Sequence, residues 1–322
     1  MALPKNIYYQ IDSPSLGDTL SATPVIRKLS KLYDNQIIVI NNIVDLFKNN
    51  PYVKYTLPID FFSQKMVESD DEYFRSFVLP GRQNQFGVER KFSSFDIRQI
   101  HANDLGFNLM PEEMECDFFP DDYDNPFDLP SKKYVVLHTA KNWPNRTWAK
   151  EKWQKIINYL AENKIYTVLI GKEVEEVNSK HQVYKTFDKF ENLHGQDLIN
   201  KDNLSLCWHI LNNASLFITM DTGPLHIAGT TDVDILQLSS AKDPRLSAPY
   251  RKGRQDYKYT HLKGPCDLYC TNNLKFSIKE WNSINFVPPL LGCLDERPNF
   301  DCHPSTDQVI KYLEKFFSDK LL

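Results

Sequence analysis

The chain has 322 residues, of which 41% are hydrophobic and 25% charged; this is the composition of a folded globular protein and excludes a disordered one. A formal charge of -4 argues against a nucleic-acid partner, because binding a phosphate backbone needs a basic surface. At ~150 residues per domain, the length suggests two domains.

The first residues run into a strand-like Ile7-Tyr8-Tyr9-Gln10-Ile11 without the basic-then-apolar pattern of a secretory leader. No apolar run reaches the ~18–20 residues that span a bilayer. A cytoplasmic protein without a membrane span is the expectation. After the strand come a loop from Asp12 to Gly17, a helix from about Asp18 to Tyr33, and a second strand from Gln36 to Ile40. Residues 60–115 read as irregular, aromatic and charged, with a break at Pro80-Gly81, and offer a variable substrate-facing surface.

The stretch 119–130 carries three prolines and four aspartates without periodicity, which reads as a linker. A second α/β pattern then starts with a strand from Tyr134 to His138. The helix from Trp148 to Asn163 follows, with Trp153, Ile156, Ile157 and Leu160 on one face. Further strands are expected at Tyr166–Ile170, Ser215–Met220 and Asp234–Leu238, the last two flanking a short helix that begins near Gly223. Ser305 and Gln308 have capping-box spacing, and Val309, Tyr312, Leu313 and Phe316 form one apolar stripe, so a final helix packs on something. Strands that alternate with helices predict an α/β protein with parallel sheets.

Three strand-to-helix turns carry chemistry. In Asp221-Thr222-Gly223-Pro224-Leu225-His226, Asp221 or Thr222 caps a helix and Pro224 fits its first turn. Gly223 admits close backbone approach, and the helix N-terminus favours a phosphate, with His226 in reach of the same anion. Near the N-terminus, Gly17-Asp18 follows the first strand, where open α/β sheets place their ligands; Asp18 is an N-cap or a general base. The third turn, His138 to Trp148, offers the Thr139 hydroxyl, Lys141 and the Arg146 guanidinium, whose fork suits phosphate oxygens.

Taken together, Gly17-Asp18 with Thr23-Pro24, Arg146-Thr147-Trp148 and Asp221-Thr222-Gly223-Pro224-Leu225-His226 resemble glycosyltransferase family nine, the heptosyltransferases and their relatives. The resemblance implies a GT-B fold, two Rossmann-like domains facing a central cleft, with the C-terminal helix crossing back to the first. Domains at 1–125 and 131–304 and a returning helix at 305–322 follow. It further implies an inverting transfer without a catalytic cofactor, in which Asp18 matches the family's base. Thr139, Arg146, Thr222, Gly223 and His226 match positions around the donor phosphates, with Lys141 and Asp221 in the same turns. Glu175 matches an acidic contact to the donor nucleoside or is only a charged helix start. The usual lysine before the tryptophan is Arg146 here, unless Lys141 takes that part. An ADP-sugar donor is favoured, with a saccharide or protein acceptor; an oligomer is compatible with the family. The alternative is a non-catalytic nucleotide-sugar-binding or scaffold protein of the same fold, although pure binding needs no base. A nicotinamide-dependent oxidoreductase is disfavoured, since no Gly-x-Gly-x-x-Gly follows either first strand.

Cys116 and Cys207 stand alone and read as small buried apolar residues. Cys266, Cys270, Cys293 and Cys302 cluster in a late insert at 266–302, and in a cytosolic protein such clusters point to metal before disulfides. Four thiolates suit structural zinc or iron, and four ligands leave no open catalytic position; His261 or His303 is an alternative ligand. This cluster is similar to the four-cysteine iron-binding finger of heptosyltransferases that modify bacterial autotransporters.

Overall fold

Ile7-Tyr-Tyr-Gln-Ile-Asp12 and Ile37-Ile-Val-Ile40 are short runs rich in β-branched and aromatic residues, the pattern of strands covered on both faces. In the computed structural model they form β1 (Ile7–Asp12) and β2 (Ile37–Ile40), parallel and almost wholly buried. The structure describes residues 3–77, 96–125, 127–141, 146–177, 183–238, 244, 248–251, 258–266 and 302–321. With β3 (Val53–Leu57) and β4 (Glu72–Phe77) these strands make an all-parallel sheet in the order β3-β2-β1-β4.

A second all-parallel sheet runs β12-β11-β10-β5-β6-β9. Its strands are β5 (Tyr134–His138), β6 (Tyr166–Leu169), β9 (Gly195–Asp197), β10 (Leu216–Thr219), β11 (Asp234–Leu238) and β12 (Tyr259–Leu262). A small antiparallel pair, β7 (Glu175–Val177) and β8 (Val183–Lys185), stands apart. In each large sheet the strand order reverses beside its first strand, between β1 and β4 and between β5 and β10. Such switch points open crevices at the carboxyl ends of the strands, where α/β proteins bind ligands.

The expected helix from Asp18 to Tyr33 is two helices, α1 (Leu16–Leu20) and α2 (Thr23–Tyr33). Pro24 forces the break: it has no N–H for the Leu20 carbonyl, and the Thr23 hydroxyl donates to that carbonyl instead, at 2.8 Å. Residues 60–115 are less irregular than their composition suggests. They contain β4 and α3 (Ile97–Asp104). Helix α3 buries Arg98 and His101 beside Ile97 and Ala102, so its inward face has no apolar signature to read.

The second sheet is covered by α4 (Lys150–Glu162) and α7 (Thr306–Leu321), whose Ser305–Gln308 capping box is formed in both directions, at 2.8 and 3.2 Å. The stripe expected to cross back to the first domain is buried in this second core: Val309, Leu313 and Phe316 pack with Trp153, Ile156, Ile157 and Leu160 of α4. The two amphipathic faces match, and each removes the other's apolar surface from water. The remaining helices are α5 (Leu204–Asn212) and α6 (Gly223–Gly229). A single core cluster joins the two sheets, running from Ile7, Tyr9 and Leu20 to Leu225, Phe217 and Tyr134. No described helix is long and apolar enough to cross a membrane.

Candidate active site

Beyond β1 the chain turns through Ser13 into α1. Asn41, fully buried at the end of β2, donates to the carbonyls of Ile11 and Ser13 at 2.9 and 3.1 Å and holds that turn in place. Ser15 caps α1. Asp18 lies in its first turn, half-buried, with Oδ2 accepting from the Ser13 hydroxyl at 3.1 Å. The carboxylate therefore sits at the switch point of the first sheet, oriented by the strand that precedes it.

The second switch point is built from the ends of β5 and β10. Asp221, Thr222 and His226 are all buried there. Thr222 occupies the N-cap position of α6, yet its hydroxyl bonds Thr219 Oγ1 at 3.0 Å and makes no cap bond. Pro24 and Pro224 both fall in first turns, as their sequence contexts suggest. Arg146 reaches over from the loop after β5, with Nη2 at 3.2 Å from Asp221 Oδ2. At the tip of β5, Thr139 Oγ1 and His138 Nδ1 are buried without a hydrogen-bond partner among the described residues. Orphan buried polar atoms are rare in folded proteins, and these two are adjacent at a switch point. Burial lowers the His138 pKa to about 4, so the ring is neutral at physiological pH. Burial also raises the Asp202 carboxyl to about 6, with its oxygens accepting backbone N–H bonds, including that of Gly171.

The two switch points face each other. Helices α1 and α6 pack directly, Leu16 against Gly223 and Gly17 against the His226 ring. This contact brings Gly17-Asp18, Asp221–His226 and, through Asp221, Arg146 into one locus. Lys141 is directed elsewhere: its ammonium pairs with Asp188 at 2.9 Å. The exposed Glu175 opens strand β7 across from Lys185, where the charge pattern also fitted a helix start. Cys266 is buried and Cys302 half-buried, and the ends of their insert are tied by the Gly264 N–H on the Cys302 carbonyl at 3.0 Å. Cys270 and Cys293 lie outside the described residues. Among the described residues no group of three or more metal-binding side chains is assembled.

Residues 76–271, more than half of the chain, match glycosyltransferase family 9 (heptosyltransferase). The chain belongs to this family. It is therefore a glycosyltransferase. No curated protein matches it significantly. Solved structures similar to it include TibC from enterotoxigenic E. coli, a dodecameric iron-containing glycosyltransferase. That match has 15% identity and a TM-score of 0.71 over 98% of this chain and 77% of that one. TibC has also been solved in complex with ADP-D-beta-D-heptose. A family 9 glycosyltransferase from Veillonella parvula is similar at 14% identity and a TM-score of 0.62, covering 99% of both chains. E. coli ADP-heptose lipopolysaccharide heptosyltransferase II follows at 13% identity and 0.55, over 87% of this chain and 98% of that one. The shared fold is GT-B, as the sequence motifs imply.

Several residues of the locus have no motif to announce them. Ser13, Asn41, His101 and His138 are polar side chains within apolar or turn segments. The one available signal is a polar residue interrupting a buried strand or helix face, and only the fold shows which of these interruptions converge.

Proposed function

We propose that this family 9 enzyme transfers heptose from an ADP-heptose donor to a hydroxyl of a saccharide or protein acceptor, with inversion at the anomeric carbon. The observation that carries the reading is the α1–α6 contact, which sets the helix that carries Asp18 against the helix start of the second switch point. Residues 1–125 form the acceptor-side domain in this reading, and 131–304 the donor domain. The final helix, 305–322, is a buttress of the donor domain.

Asp18 accepts the proton of the acceptor hydroxyl, and its oxygen attacks the anomeric carbon from the face opposite the diphosphate. The bond from that carbon to the diphosphate oxygen breaks, and ADP leaves with the electron pair. Arg146, the Thr222–Gly223 turn and His226 hold the departing charge, and the orphan Thr139 hydroxyl supplies a further donor. Glu175, across from Lys185, and Lys141, paired with Asp188, are read as contacts to the donor's outer parts. The four cysteines hold a structural zinc or iron that closes the 266–302 insert. In support, the Gly264 N–H, two residues before Cys266, bonds the Cys302 carbonyl at 3.0 Å. This metal takes no part in the transfer. The fold of the dodecameric TibC also supports a test of self-assembly.

A thermal-shift panel of ADP-, GDP-, UDP- and CMP-sugars tests the donor assignment, because a ligand that binds the folded state raises its apparent stability. Selective stabilisation by ADP-heptose is expected. A shift with another nucleotide alone would replace the donor, and ADP-heptose binding without turnover would favour the non-catalytic binder.

A further inference from the structure

The helix that carries Asp18 has only five residues, too few to hold its shape by its own hydrogen bonds. Its ladder also passes over the Asp18 carbonyl. The Ala22 N–H, which would serve that carbonyl in a continuing α-helix, goes to Thr19 O at 3.1 Å. His101 of α3 takes it instead, with Nε2 at 2.9 Å from Asp18 O. The imidazole is fully buried. Its Nδ1 lies 2.8 Å from Ser76 Oγ and 3.3 Å from Tyr9 OH, and these two hydroxyls bond each other at 2.8 Å. A carbonyl only accepts, so Nε2 carries a proton, and in the neutral ring Nδ1 then accepts from a hydroxyl.

We infer that His101, locked in rotation and tautomer by Ser76 and Tyr9, is the positioning residue of Asp18. One buried chain from β1, β4 and α3 ends on the backbone of Asp18, in the helix that makes the α1–α6 contact. The Ser13 hydroxyl fixes the carboxylate from one side, and His101 fixes the peptide unit from the other. Without His101 the carbonyl is left buried and unserved, and α1 turns to find another donor, carrying the carboxylate off its line. The inference rests on the reading of Asp18 as the base.

The test follows ADP release from ADP-heptose, with water as the acceptor where no saccharide is added. His101→Leu should lower kcat about 10- to 100-fold, the scale of a misplacement near 1 Å, with the donor KM unchanged within about twofold. His101→Gln keeps an N–H near the Nε2 position and should recover most of the rate. In an Asp18→Asn background, His101→Leu should have no further effect, because the two act as a unit. Wild-type kcat in His101→Leu, or a full additional loss in the Asp18→Asn background, overturns the positioning role. Full activity of Asp18→Asn is a different failure, since it removes the base itself. Should His101→Leu not fold, as judged by thermal unfolding, Ser76→Ala serves instead: it removes the closer of the two hydroxyls on Nδ1 and leaves the bond to Asp18. A several-fold lower kcat at unchanged KM supports the inference, and an unchanged kcat overturns it.

Discussion

Gly17 lies directly under the imidazole of His226: a methyl group added at Gly17 would come 2.5 Å from Cδ2 and 2.8 Å from Nε2. The complementary contact is Leu16 against Gly223, where an added methyl would sit 3.1 Å from the leucine Cδ2. Each helix thus presents a glycine to a side chain of the other, and the Gly17-Asp18 and Asp221–His226 turns meet at backbone distance. Gly17→Ala isolates this effect. Helix propensity alone would favour alanine by about 1 kcal/mol, but the buried His226 ring has little room to retreat, and overpacking costs roughly 1–3 kcal/mol. The expected result is a lower unfolding temperature together with weaker ADP binding and a large loss of transfer. A Gly17→Ala enzyme with wild-type turnover would show that the two helices separate in the working state.

Arg146 and Asp221 join the two sides of the second switch point through a partly exposed guanidinium and a nearly buried carboxylate. The planar fork suits two phosphate oxygens in a way that an ammonium does not. Arg146→Ala should weaken ADP binding about 10- to 100-fold, the range of one or two charge-assisted hydrogen bonds. Arg146→Lys should recover only part of it. Calorimetric titration with ADP decides the matter, and equal affinities of the arginine and lysine forms would remove the bidentate role.

Strands β1, β2, β5, β6, β10 and β11, the capping box of α7 and the start of α6 were legible in the sequence because each has a local cause, whereas β3, β4, β9 and β12 were not. Buried strands read as apolar runs, caps as short polar spacings, and Gly223-Pro224 as a helix start. What escaped was held by non-local contacts. Helix α3 turns Arg98 and His101 inward, where they bond Ala248 O and Asp18 O, so it shows no apolar stripe. The break between α1 and α2 depends on a carbonyl that Pro24 cannot serve. For α7 the stripe was plain but its partner was not, since periodicity says that a face is buried and not against what. At the site, Asp18 and His226 were visible as separate motifs. Their contact through Gly17 depends on how the sheets pack.

His138 gives the fold an acid-sensitive point. Its ordinary pKa is 6.5 and burial brings it to about 4. Between those values the unfolded chain binds a proton that the folded one refuses, so stability is complete above pH 6.5 and falls as the pH drops toward 4. The full effect is roughly 3 kcal/mol. Asp202 works in the opposite direction: burial raises its carboxyl to about 6, which penalises the folded state as the pH rises from about 4 to 6. His138→Phe keeps a ring against Phe187, which His138 meets edge-on at 5.4 Å, and removes the proton site. Urea unfolding at pH 7.5 and 4.5 should show a smaller acid loss in this variant than in wild type. Equal losses would place the acid sensitivity elsewhere.

The 266–302 insert begins and ends beside β12, where the Gly264 N–H bonds Cys302 O. This tie holds the backbone of Cys302 beside a residue two positions before Cys266, and in the proposed reading a tetrahedral ion takes these two thiolates with Cys270 and Cys293. Such a site couples metal to folding, because the ion binds the assembled thiolates and not the open chain. Purified protein is therefore expected to carry about one iron or zinc per chain, measured by elemental analysis. Cys266→Ser and Cys302→Ser should each lose the metal and lower the unfolding temperature, and a chelator should do the same to wild type. The transfer itself should fall no further than the loss of folded protein accounts for, since Asp18 and Arg146 belong to other parts of the chain. Metal-free protein of unchanged stability would return these four residues to the status of ordinary thiols.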